Sequence, residues 1–335
     1  MKRDRLYSHY LFDAELQKHN LKIVWVGFHE EGDLCIEKLY QNGFSVAALI
    51  TLDEEASAKR SGVYDYSEVA KKYQIPLYRV THINNADSLD IIKKHQPDLM
   101  FVIGWSQILS EEVLGAVPSV VGTHASKLPH NRGSAPINWA IINGETSTGN
   151  TLIELAPGVD TGDILAQREF DISDYDSCKS LYRKVASTNA EMILELCESF
   201  LSGNVKRTKQ DLGVGNLLPR RKPEHGKITW SDNAKVIYNF IRAQTRPYPG
   251  AFSYIAGKKC TIWKCSWSSA FEQDTLYEPG VIGHAVVSFD QENCGVAVGC
   301  SEGYIVIHEI QVDSEVLKGA ELVDYMKHVD RFCNE

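Results

Sequence analysis

The sequence predicts an α/β fold, a Rossmann-like, mostly parallel sheet with helices on both faces, followed by a smaller β-rich, OB-like C-terminal domain. Three observations predict it. Near-continuous apolar runs recur through the first half, each bounded by turn residues; helix-like segments separate them; and after Gly203 the chain changes to short β-like pieces. Apolar runs of strand length alternating with helices are the pattern of strands buried on both faces beneath helical layers.

In chain order, residues 22–27, 45–50 and 98–104 read as buried strands, rich in Val, Ile and Leu. The stretches 33–42, 66–73 and 88–95 read as the helices between them. Further strands are expected over 117–121 and 151–155, with a helix over 137–142. Leu181, Val185, Met192, Leu196 and Phe200 mark the apolar stripe of a longer helix that ends at Gly203. Residues 206–222 hold Lys206, Arg207, Lys209, Arg220, Arg221 and Lys222 among glycine breaks and read as a polar linker. Beyond it come a helix near 233–243 and short strands over 251–255, 260–265, 280–287, 295–298 and 304–311, the spacing of a small barrel or curled sheet. The expected organisation is an extension over 1–20, a first domain over 21–205, a linker over 206–222 and a second domain over 223–335.

Composition narrows the function. Hydrophobic residues make up 43% and charged residues 24%, an ordinary globular mixture. No apolar run approaches the roughly 18 residues of a membrane helix, and the N-terminus lacks the apolar core of a secretory signal. Eight cysteines without metal-ligand spacing fit a reducing, cytoplasmic compartment. The net charge of −9 disfavours a protein that grips nucleic acid through phosphates. The turn Gly27-Phe-His-Glu-Glu-Gly32 is not G-x-G-x-x-G, and it puts Glu30 and Glu31 where a pyrophosphate needs free backbone donors. A nicotinamide or flavin enzyme is not expected. The bulk properties point to a small-molecule enzyme.

The chemistry concentrates between Gly122 and Asp163. His124 follows an apolar strand end, the edge at which open α/β sheets assemble ligand sites. Pro136 opens a helix closed by Asn143-Gly144, and a second strand leads into Ala156-Pro-Gly-Val-Asp160-Thr-Gly-Asp163. Glycines at 158 and 162 let such a loop wrap a polar ligand closely. If the two strands are neighbours, Asp160 arrives near His124, orients its imidazole and favours the form that donates to a developing oxyanion. An isolated His and Asp would more often be a sheet-edge histidine and a turn cap.

The surrounding pattern reverses that weighting. His124-x-Ser126-x-Leu128-Pro129, Arg132-Gly133, Ala135-Pro136, Trp139-Ala140, Asn143-Gly144-Glu145 and Gly158-x-Asp160-Thr-Gly-Asp-Ile164 together resemble the 10-formyltetrahydrofolate-dependent formyltransferase family. The likeness covers residues 21–320 and is nearest the sugar N-formyltransferases of the UDP-4-amino-4-deoxy-arabinose type and the methionyl-tRNA formyltransferases. It implies transfer of a formyl group from 10-formyltetrahydrofolate to a primary amine, with His124 and Asp160 as catalytic residues and no metal. It further implies that Trp105, Ser106, Gln107, Ile108 and Leu109 hold the cofactor, with Ala156, Pro157, Gly158 and Val159 closing over it. Asp163, in the same turn, is expected to be structural. Where the family has N-x-H, this chain has Gly122-Thr123-His124. Three explanations stand open: a water or another side chain (Asn131 and Asn138 being nearest in sequence) takes the space, a reactive amine tolerates the loss, or turnover has been lost and a binding protein remains.

The preferred acceptor is a nucleotide-linked amino sugar of surface-polysaccharide synthesis, with methionyl-tRNA as the alternative. Residues 51–66, which match a basic insertion of the transfer-RNA members, hold Lys59 and Arg60 against four acidic residues. Residues 223–335 hold 10 Lys and Arg against 15 Asp and Glu. Both surfaces would bind an RNA backbone poorly. Ser134, where the arabinose-modifying relatives carry arginine, and Arg220, Arg221 and Arg246 are the candidate acceptor contacts. The resemblance leaves a homodimer open and implies no membrane partner.

Overall fold

Residues alternate along the first strand, β1 (Ile23–Gly27), with the two-residue period of a pleated chain. Ile23 and Trp25 join one core cluster, Val24 and Val26 another, and all four are fully buried. A strand apolar on both faces needs a layer on each, and the chain supplies them. The structure, a computed structural model, describes residues 19–269, 278–286 and 294–333. In chain order follow α1 (Glu31–Gln41), β2 (Val46–Leu52), α2 (Glu54–Ser57), α3 (Ser67–Tyr73), β3 (Leu77–Val80), α4 (Ala86–His95), β4 (Leu99–Ile103), α5 (Glu111–Gly115) and β5 (Ser119–His124). Then come the two-residue β6 (Arg132–Gly133), α6 (Pro136–Ile142), β7 (Ser147–Glu154), β8 (Ile164–Asp171) and the long α7 (Cys178–Leu201).

The main sheet has the order β3-β2-β1-β4-β5-β7-β8. It is parallel from β3 to β5 and antiparallel from β5 through β8. Helices α1, α3 and α7 cover the Trp25 face, through Ile36, Leu39, Val69, Met192, Ile193 and Leu196. Helices α4 and α5 cover the Val24 face through Leu89, Ile92 and Val113. The parallel strand ends and the parallel-to-antiparallel switch between β5 and β7 lie on one edge, and that edge carries His124.

The segment after α7 holds β9 (Leu217–Leu218), and the second domain begins with α8 (Ala234–Arg242). Strands β10 (Ala251–Ile255), β11 (Lys258–Ser268), β12 (Ile282–Val286), β13 (Gly295–Gly299), β14 (Tyr304–Val312) and β15 (Glu315–Lys318) form a six-stranded antiparallel sheet, followed by α9 (Gly319–Met326). Helices α8 and α9 close its core through Ile237, Ile241, Leu322 and Met326. The two domains meet where Asn138 on α6 donates to the Ala243 carbonyl just past α8.

Most expected elements appear within a few residues of their expected bounds. Strands β3, β6, β8, β9 and β15 and helices α2, α5 and α9 are additional to the elements expected from the sequence; β8 is half-exposed along its length and so lacks an apolar signature. His124 is the last residue of β5, not a residue beyond it. Residues 1–18 of the expected extension and Val287 of an expected strand lie outside the described residues.

Candidate active site

At the end of β5, His124 pairs in register with Thr151 of β7. Its Nδ1 lies 3.3 Å from Asp160 Oδ2, with side chains 7% and 22% exposed. Its Nε2 lies 2.7 Å from the Asn131 carbonyl oxygen. A carbonyl only accepts, so Nε2 carries a proton and donates it, which fixes the ring and leaves Nδ1 toward the acid. Asp160 Oδ2 also accepts from the Gly133 N–H at 2.8 Å. The pair expected from the sequence is assembled.

Backbone geometry places the acid. Asp160 itself has a left-handed backbone, φ 53°. A Cβ on Gly162 would lie 1.7 Å from the Glu154 carbonyl oxygen, so glycine alone permits the chain to fold back there. Asp163 contributes its carbonyl, which accepts from the Glu154 N–H at 2.9 Å.

The segment 206–222 departs from the expected free linker. Gln210 Nε2 donates to the Asp160 carbonyl at 2.9 Å and to the Gly162 carbonyl at 2.6 Å. Asn216 Oδ1 accepts from the Asn131 N–H at 2.7 Å, and β9 pairs in parallel with β6. Arg207 forms an ion pair with Glu154. Its polar residues therefore satisfy main-chain groups of the two loops that hold His124 and Asp160, groups that no strand or helix would otherwise pair. Sequence composition alone reads the same residues as solvated.

Beside Gly122 another side chain takes the space, though neither of the two asparagines nearest in sequence. The nearest atoms to a Cβ placed there all belong to Leu155, the closest, Cδ2, at 2.6 Å. Neither Asn131 nor Asn138 fills the space. The Asn131 amide donates to Glu145 at 3.0 Å, and Asn138 is committed to Ala243. An apolar side chain stands where the family pattern has a polar one.

The remaining candidates divide by their contacts. The loop Trp105, Ser106, Gln107, Ile108 and Leu109 is pinned from behind: Gln107 accepts from the Ile83 N–H and donates to the Thr81 carbonyl, both at 2.9 Å, while Asn84 donates to the Ile108 carbonyl. Trp105 packs on Phe28 with ring centroids 5.7 Å apart, and its indole Nε1 is buried without a partner. Such an orphaned donor, in the same loop as the exposed Ile108, suits a planar heterocycle with polar edges; the exposed loop Ala156, Pro157, Gly158 and Val159 follows Leu155, which packs on the same core cluster as Trp105. Ser134 lies beside Gly133, its N–H directed to the Leu218 carbonyl. Arg221 is held between Trp139 and Phe240 and donates to the His225 carbonyl and to Gln244. Arg246 pairs with Glu309 over the Trp263 ring. Arg220 is exposed. Residues 21–197 match the family model for formyl transferase, and residues 220–325 match the model for the formyl transferase C-terminal domain.

The chain belongs to the formyltransferase family. It is similar to methionyl-tRNA formyltransferase of Clostridium acetobutylicum, 35% identical over 296 residues that cover 87% of this chain and 92% of that one. It is also 35% identical over 268 residues to the bifunctional polymyxin resistance protein ArnA of Wigglesworthia glossinidia brevipalpis, covering 78% of this chain and 40% of that longer protein. Among solved structures, the N-formyltransferase from Helicobacter canadensis, in complex with folinic acid and dTDP-3-aminofucose, shares the fold at a TM-score of 0.64 and 20% identity over 86% of this chain and 98% of that one. As a member of the family, the protein is a formyltransferase whose one-carbon donor is formyltetrahydrofolate. Among the described residues, no helix is long and apolar enough to cross a membrane.

Proposed function

We propose that the acceptor of this formyltransferase is the primary amine of a nucleotide-linked amino sugar and that His124 and Asp160 are its catalytic pair. The single observation that carries the acceptor is charge: residues 223–335, which an RNA acceptor would meet, hold 10 basic against 15 acidic residues. Phosphate-driven binding draws most of its free energy from displaced counterions, and an acidic face forfeits that. A second reading, methionyl-tRNA as acceptor, is favoured by the identity of 35% with a methionyl-tRNA formyltransferase along 92% of its length.

The donor supplies a formyl group bonded to nitrogen. Around it, Trp105–Leu109 and Ala156–Val159 hold the heterocycle, with Trp105 Nε1 as a donor to it. With Nε2–H held by the Asn131 carbonyl, His124 donates through Nδ1 only when the ring carries both protons, and that second N–H is shared between Asp160 and the formyl oxygen, where negative charge builds as an amine attacks. Asp160 keeps the ring oriented and counters its charge. A donor preorganised at that position contributes on the order of 10²–10³ in rate. Leu155, packed where a side chain at position 122 would lie, leaves the oxygen with one protein donor fewer.

Transfer from 10-formyltetrahydrofolate to a panel of UDP- and dTDP-linked amino sugars, run beside charged initiator tRNA, tests the reading. Formylation of a nucleotide sugar with little dependence on salt supports it. Formylation of the tRNA alone, falling steeply as salt rises, establishes the second reading instead. Donor binding with no acceptor turned over would mark a binding protein that has lost catalysis.

A further inference from the structure

The turn between β1 and α1 carries a second imidazole–carboxylate pair on the same sheet edge. His29 Nδ1 lies 3.2 Å from Glu31 Oε1, with side chains 12% and 8% exposed. A carboxylate this deeply buried needs partners. Glu31 Oε2 accepts from Asn189 Nδ2 at 2.9 Å, and Asn189 Oδ1 accepts from Asn150 Nδ2 at 2.7 Å. A chain of amides thus runs from β7 through α7 to the acid. The imidazole Nε2 makes no hydrogen bond among the described residues, but the Gly62 backbone flanks it closely, since a Cβ there would lie 2.4 Å from Nε2.

The surroundings of His29 belong to the site. A Cβ on Gly104, the residue before the donor-loop Trp105, would lie 2.4 Å from His29 Cβ, so the turn sits directly against that loop. Phe28 packs on Trp105 from the same turn. The Tyr182 ring of α7 stands 5.3 Å from the imidazole, and its hydroxyl accepts from that of Tyr248, from the second domain, at 2.7 Å. In the sheet only β4 separates β1 from β5, so the two strands run about 10 Å apart at roughly 4.8 Å per strand, with His124 closing β5 and His29 just past the end of β1. Two hydrogen-bond lengths and one attack distance of about 3 Å each span the same interval.

We propose that His29, held by Glu31, is the base that takes a proton from the acceptor's ammonium group, across the formyl group from His124. The inference rests on the formyltransferase assignment and not on which amine is the acceptor. An alkyl ammonium has no lone pair with which to attack. His29 Nε2 accepts one proton from it, and the freed lone pair forms the new bond from nitrogen to the formyl carbon. The bond between that carbon and the folate nitrogen breaks, its electron pair stays on the folate nitrogen, and the second proton lost by the amine ends there. His29 then returns its proton to water, leaving a formamide and tetrahydrofolate.

Glu30 and Glu31 face the ring from the start of α1, Tyr182 from α7, and Tyr248 stands behind Tyr182; Tyr66 donates to the His29 carbonyl. Burial works against the charged ring, but the Glu31 carboxylate, helped by Glu30, outweighs it and holds the imidazole above its ordinary value. Burial pushes both Tyr182 and Tyr248 up, so they stay neutral. Only the unprotonated ring is a base, so the rate falls as pH drops through the His29 pKa.

The full chain is assayed for formyl transfer from pH 5 to 9, with the nucleotide amino sugars, the charged tRNA and hydroxylamine as a small amine. His29→Gln is expected to lower kcat about 10²-fold and to erase the acidic limb, while folinic acid binds as before. In Glu31→Gln the ring keeps its place, its pKa read by ¹⁵N NMR falls, and the limb moves to lower pH with it. Unchanged kcat in His29→Gln, or a loss equal at every pH, overturns the proposal, as does a limb in Glu31→Gln that stays put while the NMR titration moves. If His29→Gln does not fold, Glu31→Gln alone decides. Wild-type protein inactive on every amine overturns catalysis as a whole, a result distinct from an active enzyme indifferent to His29.

Discussion

Gln210 donates to the turn that carries Asp160 through both hydrogens of one amide nitrogen, reaching the Asp160 carbonyl at 2.9 Å and the Gly162 carbonyl at 2.6 Å. A residue with no reactive group thereby governs where an acid stands relative to His124. The turn holds Asp160 at φ 53°, a conformation a non-glycine residue adopts at some cost and keeps only when its neighbours hold it.

Gln210→Ala should therefore lower kcat by about tenfold, since small displacements of positioned groups carry such penalties, and should lower stability by about 1–2 kcal/mol for the two lost hydrogen bonds. Steady-state kinetics and thermal melting check both. A variant with wild-type kcat would show that the turn holds Asp160 without the tether.

His124→Asn and Asp160→Asn are expected to reduce kcat by on the order of 10²–10³ or more while leaving folinic acid affinity within a few-fold of wild type. Isothermal titration beside the kinetic assay separates the effects. Equal losses of binding and rate would mean that the pair builds the pocket and does not act on the reacting oxygen.

Gly122→Asn tests the space that Leu155 fills. Its Cβ would meet Leu155 Cδ2 at 2.6 Å, so the leucine side chain must turn away. The single substitution should destabilise by about 1–3 kcal/mol through overpacking. Gly122→Asn with Leu155→Ala relieves the clash and supplies a second donor, and a gain in kcat over wild type is expected. No gain in a folded double variant would show that the enzyme works fully with the donors it has.

Asp176, at the entrance to α7, gives a pH dependence of stability. Burial opposes its ionisation, yet Lys184, the Ser173 N–H and the Ser180 hydroxyl outweigh it and hold the carboxyl at about 2. The folded value lies below the ordinary one, so the stabilisation is complete above pH ~4 and is lost as pH falls toward the folded value. Asp176→Asn should cost about 2 kcal/mol at pH 7, with the difference from wild type shrinking between pH 4 and 2. Urea unfolding across that range measures it.

Much of this was legible in the sequence where chemistry and periodicity coincide. The strands of the parallel sheet announce themselves because both faces are buried, as Trp25 and Val26 on opposite sides of β1 illustrate. His124 and Asp160 were legible through the motif around them. Gln210 and Asn216 were not, because a glutamine that tethers a carbonyl fifty positions away leaves the same local signature as one in solvent. Leu155 escaped for a related reason: the space beside a glycine is defined by what packs there from another strand. His29 stood in plain view as part of a turn that fails the dinucleotide pattern, and only its approach to Glu31 and Gly104 gives it meaning.

The seam formed by β6 and β9 bears on how this protein can be taken apart. A fragment ending near residue 205 would keep every reactive side chain of the first domain and lose the outer wall of the pocket that aims them. Engineers who exchange C-terminal domains to redirect such an enzyme should accordingly carry residues 206–222 with the donor-binding half, treating that stretch as masonry and not as string.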